Sequence, residues 1–152
     1  MTNFNSYVIL PELRLIVTNF QGKTQLDDVI QLNLKFITDQ AYDSSYDVIM
    51  DFMDSLAIGF RMDLMDYVEF FKKSVRLKQK IRLGIMYQTS NQEFLLNIYK
   101  PIAKLLKMDL EIFRTLDGCL SWMKYTDEEQ VLIKEALSSI KSKSPDDNIL
   151  AK

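Results

Sequence analysis

Histidine is absent from this chain of 152 residues, and cysteine occurs once, at Cys119. Without an imidazole, neither a Ser-His-Asp nor a Cys-His catalytic arrangement can be assembled from within the chain, and the commonest zinc ligand is missing. A lone cysteine permits no internal disulfide, which fits a reducing, cytoplasmic setting. The four glycines are dispersed, so no phosphate-cradling glycine loop is formed. No apolar run approaches the roughly 20 residues that a membrane-spanning helix requires. The opening Met-Thr-Asn-Phe-Asn-Ser lacks the basic start and apolar stretch of a signal peptide. Together these absences point away from an enzyme. Any catalysis would fall to carboxylates, Lys, Tyr, Ser or Thr, and no spacing singles out such a set; no cofactor and no metal are expected.

What is present suits one globular domain. Hydrophobic residues make up 47% of the chain, enough at this length to bury a core. The net charge is only −2, but its distribution is uneven. Eight acidic residues face the lone Arg61 between positions 39 and 69, and nine basic residues face the lone Glu93 between 70 and 107. Segregation of this kind gives a folded molecule a dipole able to steer a partner, unless the blocks interleave in space.

The organising stretch is Tyr46-Asp47-Val48-Ile49-Met50-Asp51-Phe52-Met53-Asp54, whose short apolar run reads as a strand buried on both faces of an α/β sheet. Sites in such sheets usually lie beyond the strand's C-terminal end, here the stretch from Asp54 and Ser55 to Gly59 and Phe60. Before it, 7–10 and 13–20 read as strands joined by a tight turn at Pro11-Glu12, and Gln21-Gly22-Lys23 is expected to break the second. Thr24 with Asp27 resembles an N-cap opening a helix to about Thr38. After it, 62–77 has helical spacing and 81–87 reads as a strand. Ser90 with Glu93 has capping-box spacing, and Pro101 is expected to kink or divide the helix that follows. A short strand at 110–113 leads to a helix over 116–124. Thr126 with Glu129 opens a last helix carrying Leu132, Ile133, Ala136, Leu137 and Ile140. The residues from 142 to 152 read as a loose tail after one domain spanning 1–141. Strands alternating with helices imply right-handed crossovers and a mainly parallel, mixed sheet of about five strands, with only the first hairpin antiparallel.

With this order the chain resembles the SpoIIAA-like proteins, bacterial relatives of anti-sigma-factor antagonists with the STAS fold. The resemblance covers roughly residues 7–124. It rests on the opening hairpin, on Gly22-Lys23-Thr24 before the first helix, and on Tyr46 to Asp51 in the central strand. It also rests on the closing Phe113-Arg114-Thr115-Leu116-Asp117-Gly118-Cys119-Leu120-Ser121-Trp122-Met123. It implies an α/β SpoIIAA-like domain, here with an extra C-terminal helix, and a non-enzymatic regulatory role through protein contacts. Antagonists of this family bind a kinase and are switched by phosphorylation of a Ser or Thr at the start of the helix after this strand. Ser55 is the matching position, but Leu56 and Ala57 follow it, and Gly59 stands four residues on instead of two.

The candidate residues each carry an ordinary structural reading beside the functional one. Ser55 is a phospho-acceptor or a simple loop hydroxyl. Asp51, Asp54 and Asp63 are hard oxygen ligands or, for Asp63, a helix N-terminal charge. The basic run from Lys72 to Arg82 holds six cations in eleven residues. No aromatics interleave with them as base-stacking platforms would require, so nucleic acid is not an expected partner and a solvated face is favoured. Phe52, Tyr67, Phe71 and Tyr87 would line a cavity for an apolar, lipid-like ligand, or pack helix on sheet. The leading expectation is an interaction module with an unidentified protein partner, acting through the stretch from Asp54 to Phe60 and the helix after it. A carrier of a small apolar ligand is the alternative. A homodimer through an edge strand or the last helix is also open.

Overall fold

The computed structural model describes residues 4–57, 69, 72–73 and 79–142. It shows five strands and four α-helices among them: β1 (Phe4–Leu10), β2 (Leu15–Thr24), α1 (Leu26–Ile37), β3 (Asp47–Ala57), β4 (Ile81–Met86), α2 (Ser90–Leu105), β5 (Met108–Phe113), α3 (Leu116–Trp122) and α4 (Asp127–Ser142). The sheet runs in sequence order, β1-β2-β3-β4-β5. β1 is antiparallel to β2 at one edge, and β2 to β5 are parallel. This is the α/β, mainly parallel mixed sheet with an added C-terminal helix that the sequence predicts.

Alternation along each strand divides the core in two. Ile16 and Phe20 of β2, Val48, Met50 and Phe52 of β3, and Leu83 and Ile85 of β4 point to one face, with Val29, Leu32 and Phe36 of α1 and Leu96, Ala103 and Leu106 of α2 over them. Leu15, Val17, Ile49 and Met86 point to the other face, beneath Cys119 and Leu120 of α3 and Ile133, Leu137 and Ile140 of α4. Phe20 and Phe52, adjacent across β2 and β3, stack with ring centroids 4.6 Å apart. The central strands are therefore covered on both sides, which is why they read as continuous apolar runs.

Several boundaries differ from the sequence reading. Pro11–Leu13 forms a single 3-10 turn instead of a two-residue turn, and Arg14 closes it in the left-handed region at φ 52°. Gln21-Gly22-Lys23 does not break β2. A register shift between Asn19 and Gln21 absorbs one residue as a bulge, and Gly22 at φ 79° supplies the conformation that lets pairing resume. The N-cap of α1 is Gln25, not Thr24, and the Asp28 carboxylate accepts the Gln25 N–H at 2.8 Å. The capping box of α2 is one residue earlier than Ser90 and Glu93: the Gln92 N–H donates to the Thr89 hydroxyl at 3.1 Å, and the Gln92 side chain accepts the Thr89 N–H at 3.1 Å. Pro101 neither kinks nor divides α2 enough to end it. Leu96, Ala103 and Leu106 are buried on either side of it, and their burial offsets a cost of about 3 kcal/mol for the missing hydrogen bond and ring clash. The box at Thr126 and Glu129 forms as expected, with bonds of 2.9 and 3.2 Å. Of the helix expected over 62–77, the described residues are Glu69, Lys72 and Lys73, all helical; the rest lies outside the described residues.

α3 sits unusually close to the sheet because of one missing side chain. A Cβ at Gly84 in β4 would meet the Cys119 Sγ at 2.5 Å and the Met123 terminal methyl at 3.4 Å. Gly84 and Cys119 are thus a matched pair, each small because the other is there. Gly84→Ala should lower unfolding free energy by about 1–3 kcal/mol through overpacking. Adding Cys119→Ala to that variant should restore part of the loss. Denaturant titration of the single and double variants measures this, and strict additivity of the two losses would refute the pairing.

Candidate functional site

The C-terminal end of β3, where the sequence places the site, is built differently from the expected loop. β3 continues through Ser55 and Leu56 to Ala57, paired in register with Gly22, Lys23 and Thr24 of the bulged β2. Asp54 and Ser55 therefore lie in a strand. Ser55 is only 4% exposed, and its hydroxyl donates to the Phe52 carbonyl at 3.1 Å. A phosphoryl donor has no approach to a hydroxyl held this way, so phosphorylation there requires this end of the strand to open. Gly59 and Phe60 lie outside the described residues.

A single buried amide ties this strand end to α2. The Gln92 Nε2 donates to the Phe52 carbonyl at 3.0 Å and to the Ser55 carbonyl at 2.8 Å. Its Oε1 accepts the backbone N–H groups of Gln88 and Thr89, at 2.7 and 3.1 Å. Every hydrogen-bonding direction of the side chain is used, which is what a buried amide requires. On the surface beside this clamp are two exposed apolar side chains: Leu56, one residue beyond Ser55 and 58% exposed, and Phe94, two residues beyond Gln92 and 66% exposed. Exposed charges accompany them at Asp54 and at the Glu93–Arg114 ion pair of 3.4 Å.

Asp51 does not point to solvent as a metal ligand would. It is fully buried on the α4 face, and its carboxylate accepts from the Asn19 amide at 3.1 Å and the Met53 N–H at 2.9 Å. Its counter-ion is the Lys141 ammonium at 2.9 Å, which also approaches Asp54 at 3.5 Å. Gln21 completes the network, donating to the Asn19 side chain at 2.9 Å and to the Lys141 carbonyl at 3.2 Å. Burial alone would lower the Lys141 pKa. The hydrogen bond to Asp51, with the charges of Asp51 and Asp54, outweighs that and holds the ammonium above its ordinary 10.5. Asp63 lies outside the described residues, and no group of three or more acidic or cysteine ligands gathers among those described.

The expected apolar lining is divided. Phe52 and Tyr87 are buried core side chains, Phe52 stacked on Phe20 and Tyr87 beneath the Arg114 guanidinium at 4.9 Å from the ring centre. Tyr67 and Phe71 lie outside the described residues. Burial pushes the Cys119 thiol up to about 12, against a smaller opposing effect of Arg82, so it stays a packed thiol and not a nucleophile. The residues that sequence reasoning missed are Gln92, Asn19, Gln21 and Lys141. Gln92 carried a signal, since it stands three residues after Thr89 as a capping-box partner. Lys141 carried none, because its partner lies 90 positions away in the sequence.

Lys141→Met keeps the aliphatic stem but leaves Asp51 buried without a cation. With Lys141 partly solvated, the loss should be on the order of 2 kcal/mol at neutral pH. Because the folded pKa is raised, the contribution is complete below about pH 10.5 and fades as pH rises through the folded value. Unfolding titrations of parent and variant should therefore converge at alkaline pH. A stability gap that stays constant to the alkaline limit would exclude Lys141 as the counter-ion.

No protein-family model matches the chain, and no curated protein matches it. Among solved structures it is similar to an uncharacterised protein of the DUF3478 family from Shewanella loihica PV-4, described as having a SpoIIAA-like fold. The two are 13% identical, the alignment covers 80% of this chain and 95% of that one, and the TM-score is 0.52. At that identity the likeness speaks for architecture, and with the strand order and the two helical layers it establishes that this chain has a SpoIIAA-like fold.

Proposed function

We propose that this protein is a non-enzymatic interaction module with a regulatory role, and that it binds a protein partner through the C-terminal end of β3 and the first turns of α2. The observation that carries this is the Gln92 clamp. A fully bonded buried amide fixes the strand end against the helix, and the two side chains displayed beside it, Leu56 and Phe94, are large, apolar and exposed. Exposed apolar residues on a rigid frame, edged by charge, are the usual make-up of a binding surface. The absence of histidine from the sequence and the raised pKa of Cys119 favour binding over catalysis. The placement of Phe52 and Tyr87 in the core argues against an apolar-ligand carrier built on them.

Phe94→Glu combined with Leu56→Glu should leave the melting temperature nearly unchanged, since both side chains are solvated. It should abolish capture of whatever the parent protein retains from extracts of its own cells. Identical capture profiles for parent and double variant would reject this surface.

A further inference from the structure

At the opposite end of the sheet the N-terminal ends of β2, β3 and β4 enclose a cleft of about 390 Å³, lined by Leu13, Arg14, Ser45, Asp47, Gln79, Lys80, Arg82 and Tyr125. That volume lies within the roughly 300–1,000 Å³ of small-molecule pockets. We propose that it binds a small organic phosphate monoester, with Arg14 and Lys80 as the residues that recognise the phosphate.

Charge makes the first part of the case. Arg14, Lys80 and Arg82 place three cations in the lining against one carboxylate, Asp47, in a chain whose overall charge is −2. A cationic concavity on an acidic protein concentrates anions locally. The cations also differ in what holds them. The Arg82 guanidinium is fixed on Asp47 by bonds of 3.0 and 2.7 Å and donates further to the Met123 carbonyl, so it is a wall of the cleft. The Arg14 guanidinium is held by a neutral group, the Ser45 hydroxyl, at 2.7 Å. Ser45 in turn donates to Asp43 at 2.7 Å, which leaves the Ser45 oxygen oriented to accept from Arg14. Lys80 is exposed at the rim. Two cations not fixed on Asp47 match the charge of nearly two that a phosphate monoester carries at neutral pH. Guanidinium donors in a planar fork suit phosphate oxygens, and an ammonium adds a second point of charge.

Backbone placement makes the second part. Arg14 occupies the left-handed region, where a glycine would sit without strain, yet the position carries the longest cationic side chain. Its own carbonyl accepts the Asp47 N–H at 3.0 Å, so the strained residue is pinned to the start of β3. The guanidinium is thereby aimed across the strand ends toward Ser45. Beyond the cations, the Gln79 amide, the Tyr125 hydroxyl and the Leu13 side chain give the lining polar and apolar groups for the organic part of the ester. Inorganic phosphate alone would leave those unused.

An amide NMR titration tests the assignment with glycerol phosphate and adenosine monophosphate as esters, and with adenosine, glycerol and inorganic phosphate as controls. At least one ester should give saturable shifts clustered at Arg14, Ser45, Gln79, Lys80 and Tyr125. Arg14→Gln and Lys80→Gln should each weaken it by roughly tenfold or more, the value of a charge-assisted contact. Both side chains are exposed, and Lys80→Gln leaves the strained position untouched, so one variant remains informative if the other is unstable. The Phe94→Glu, Leu56→Glu protein should bind the ester as the parent does, which separates this cleft from the surface at the other end. Absence of saturable binding by both esters would overturn the proposal. So would shifts centred elsewhere, equal affinity for adenosine or glycerol, inorganic phosphate binding as tightly as either ester, or unchanged affinity in both charge variants.

Discussion

A sheet that adds each new parallel strand at the same edge sends every right-handed crossover over the same face. The order β1-β2-β3-β4-β5 obeys that rule, and both described crossover helices, α1 and α2, lie together over Phe20, Phe52 and Ile85. The other face carries Leu15, Val17, Ile49 and Met86 and receives no crossover at all. Those side chains must be covered by whatever follows the last strand. α3 and α4 are that cover, so the C-terminal third of the chain is as necessary to the core as the strands are. Gly84 belongs to the same constraint: α3 reaches the sheet closely only where one strand residue has no side chain.

Much of this architecture was legible in the sequence because it rests on periodicity. Two-residue alternation in β2 and the 3.6-residue stripe Ile133, Leu137 and Ile140 are local patterns. The errors lie where a long-range contact overrides a local signal. Gln21-Gly22-Lys23 looks like a strand break, and alone it would be one. Continued pairing with Asp54, Ser55 and Leu56 converts it into a bulge instead. The same pairing extends β3 past Asp54 and removes the loop in which Ser55 was expected. Pro101 looks like a helix end, but the buried residues around it hold α2 together. Ser90 and Thr89 offer alternative caps, and the choice falls to Gln92, whose amide also satisfies two carbonyls of β3. No local pattern encodes that second demand.

The two ends of the sheet have correspondingly different chemistry. At the C-terminal end of β3 the buried polar groups satisfy one another: Ser55 with Phe52, and Gln92 with both strand and helix. What remains for a partner there is apolar surface and its charged edge. At the N-terminal end the strands begin in sequence positions far apart, near residues 14, 47 and 81, and each contributes a charged side chain at its start. The charge is collected by topology: Arg14 and Arg82 are 68 positions apart but both reach the β3 end, one through Ser45 and the other through Asp47. The basic block seen in sequence is therefore not one solvated face throughout, because Arg82 at its end turns inward to a carboxylate from the acidic block.

The buried pair Asp51–Lys141 has a different consequence, for specificity of packing more than for its strength. An amphipathic helix bound only by Ile133, Leu137 and Ile140 presents similar apolar residues to the sheet when displaced by one turn. Such a slip in α4 would carry the ammonium about 5 Å along the axis and leave a fully buried carboxylate with no cation. It would also separate Gln21 from the Lys141 carbonyl and Ser6 from the Ile140 carbonyl, both of which are hydrogen-bonded in the native register. Apolar contacts decide that α4 covers this face; the polar groups decide where along the face it stops.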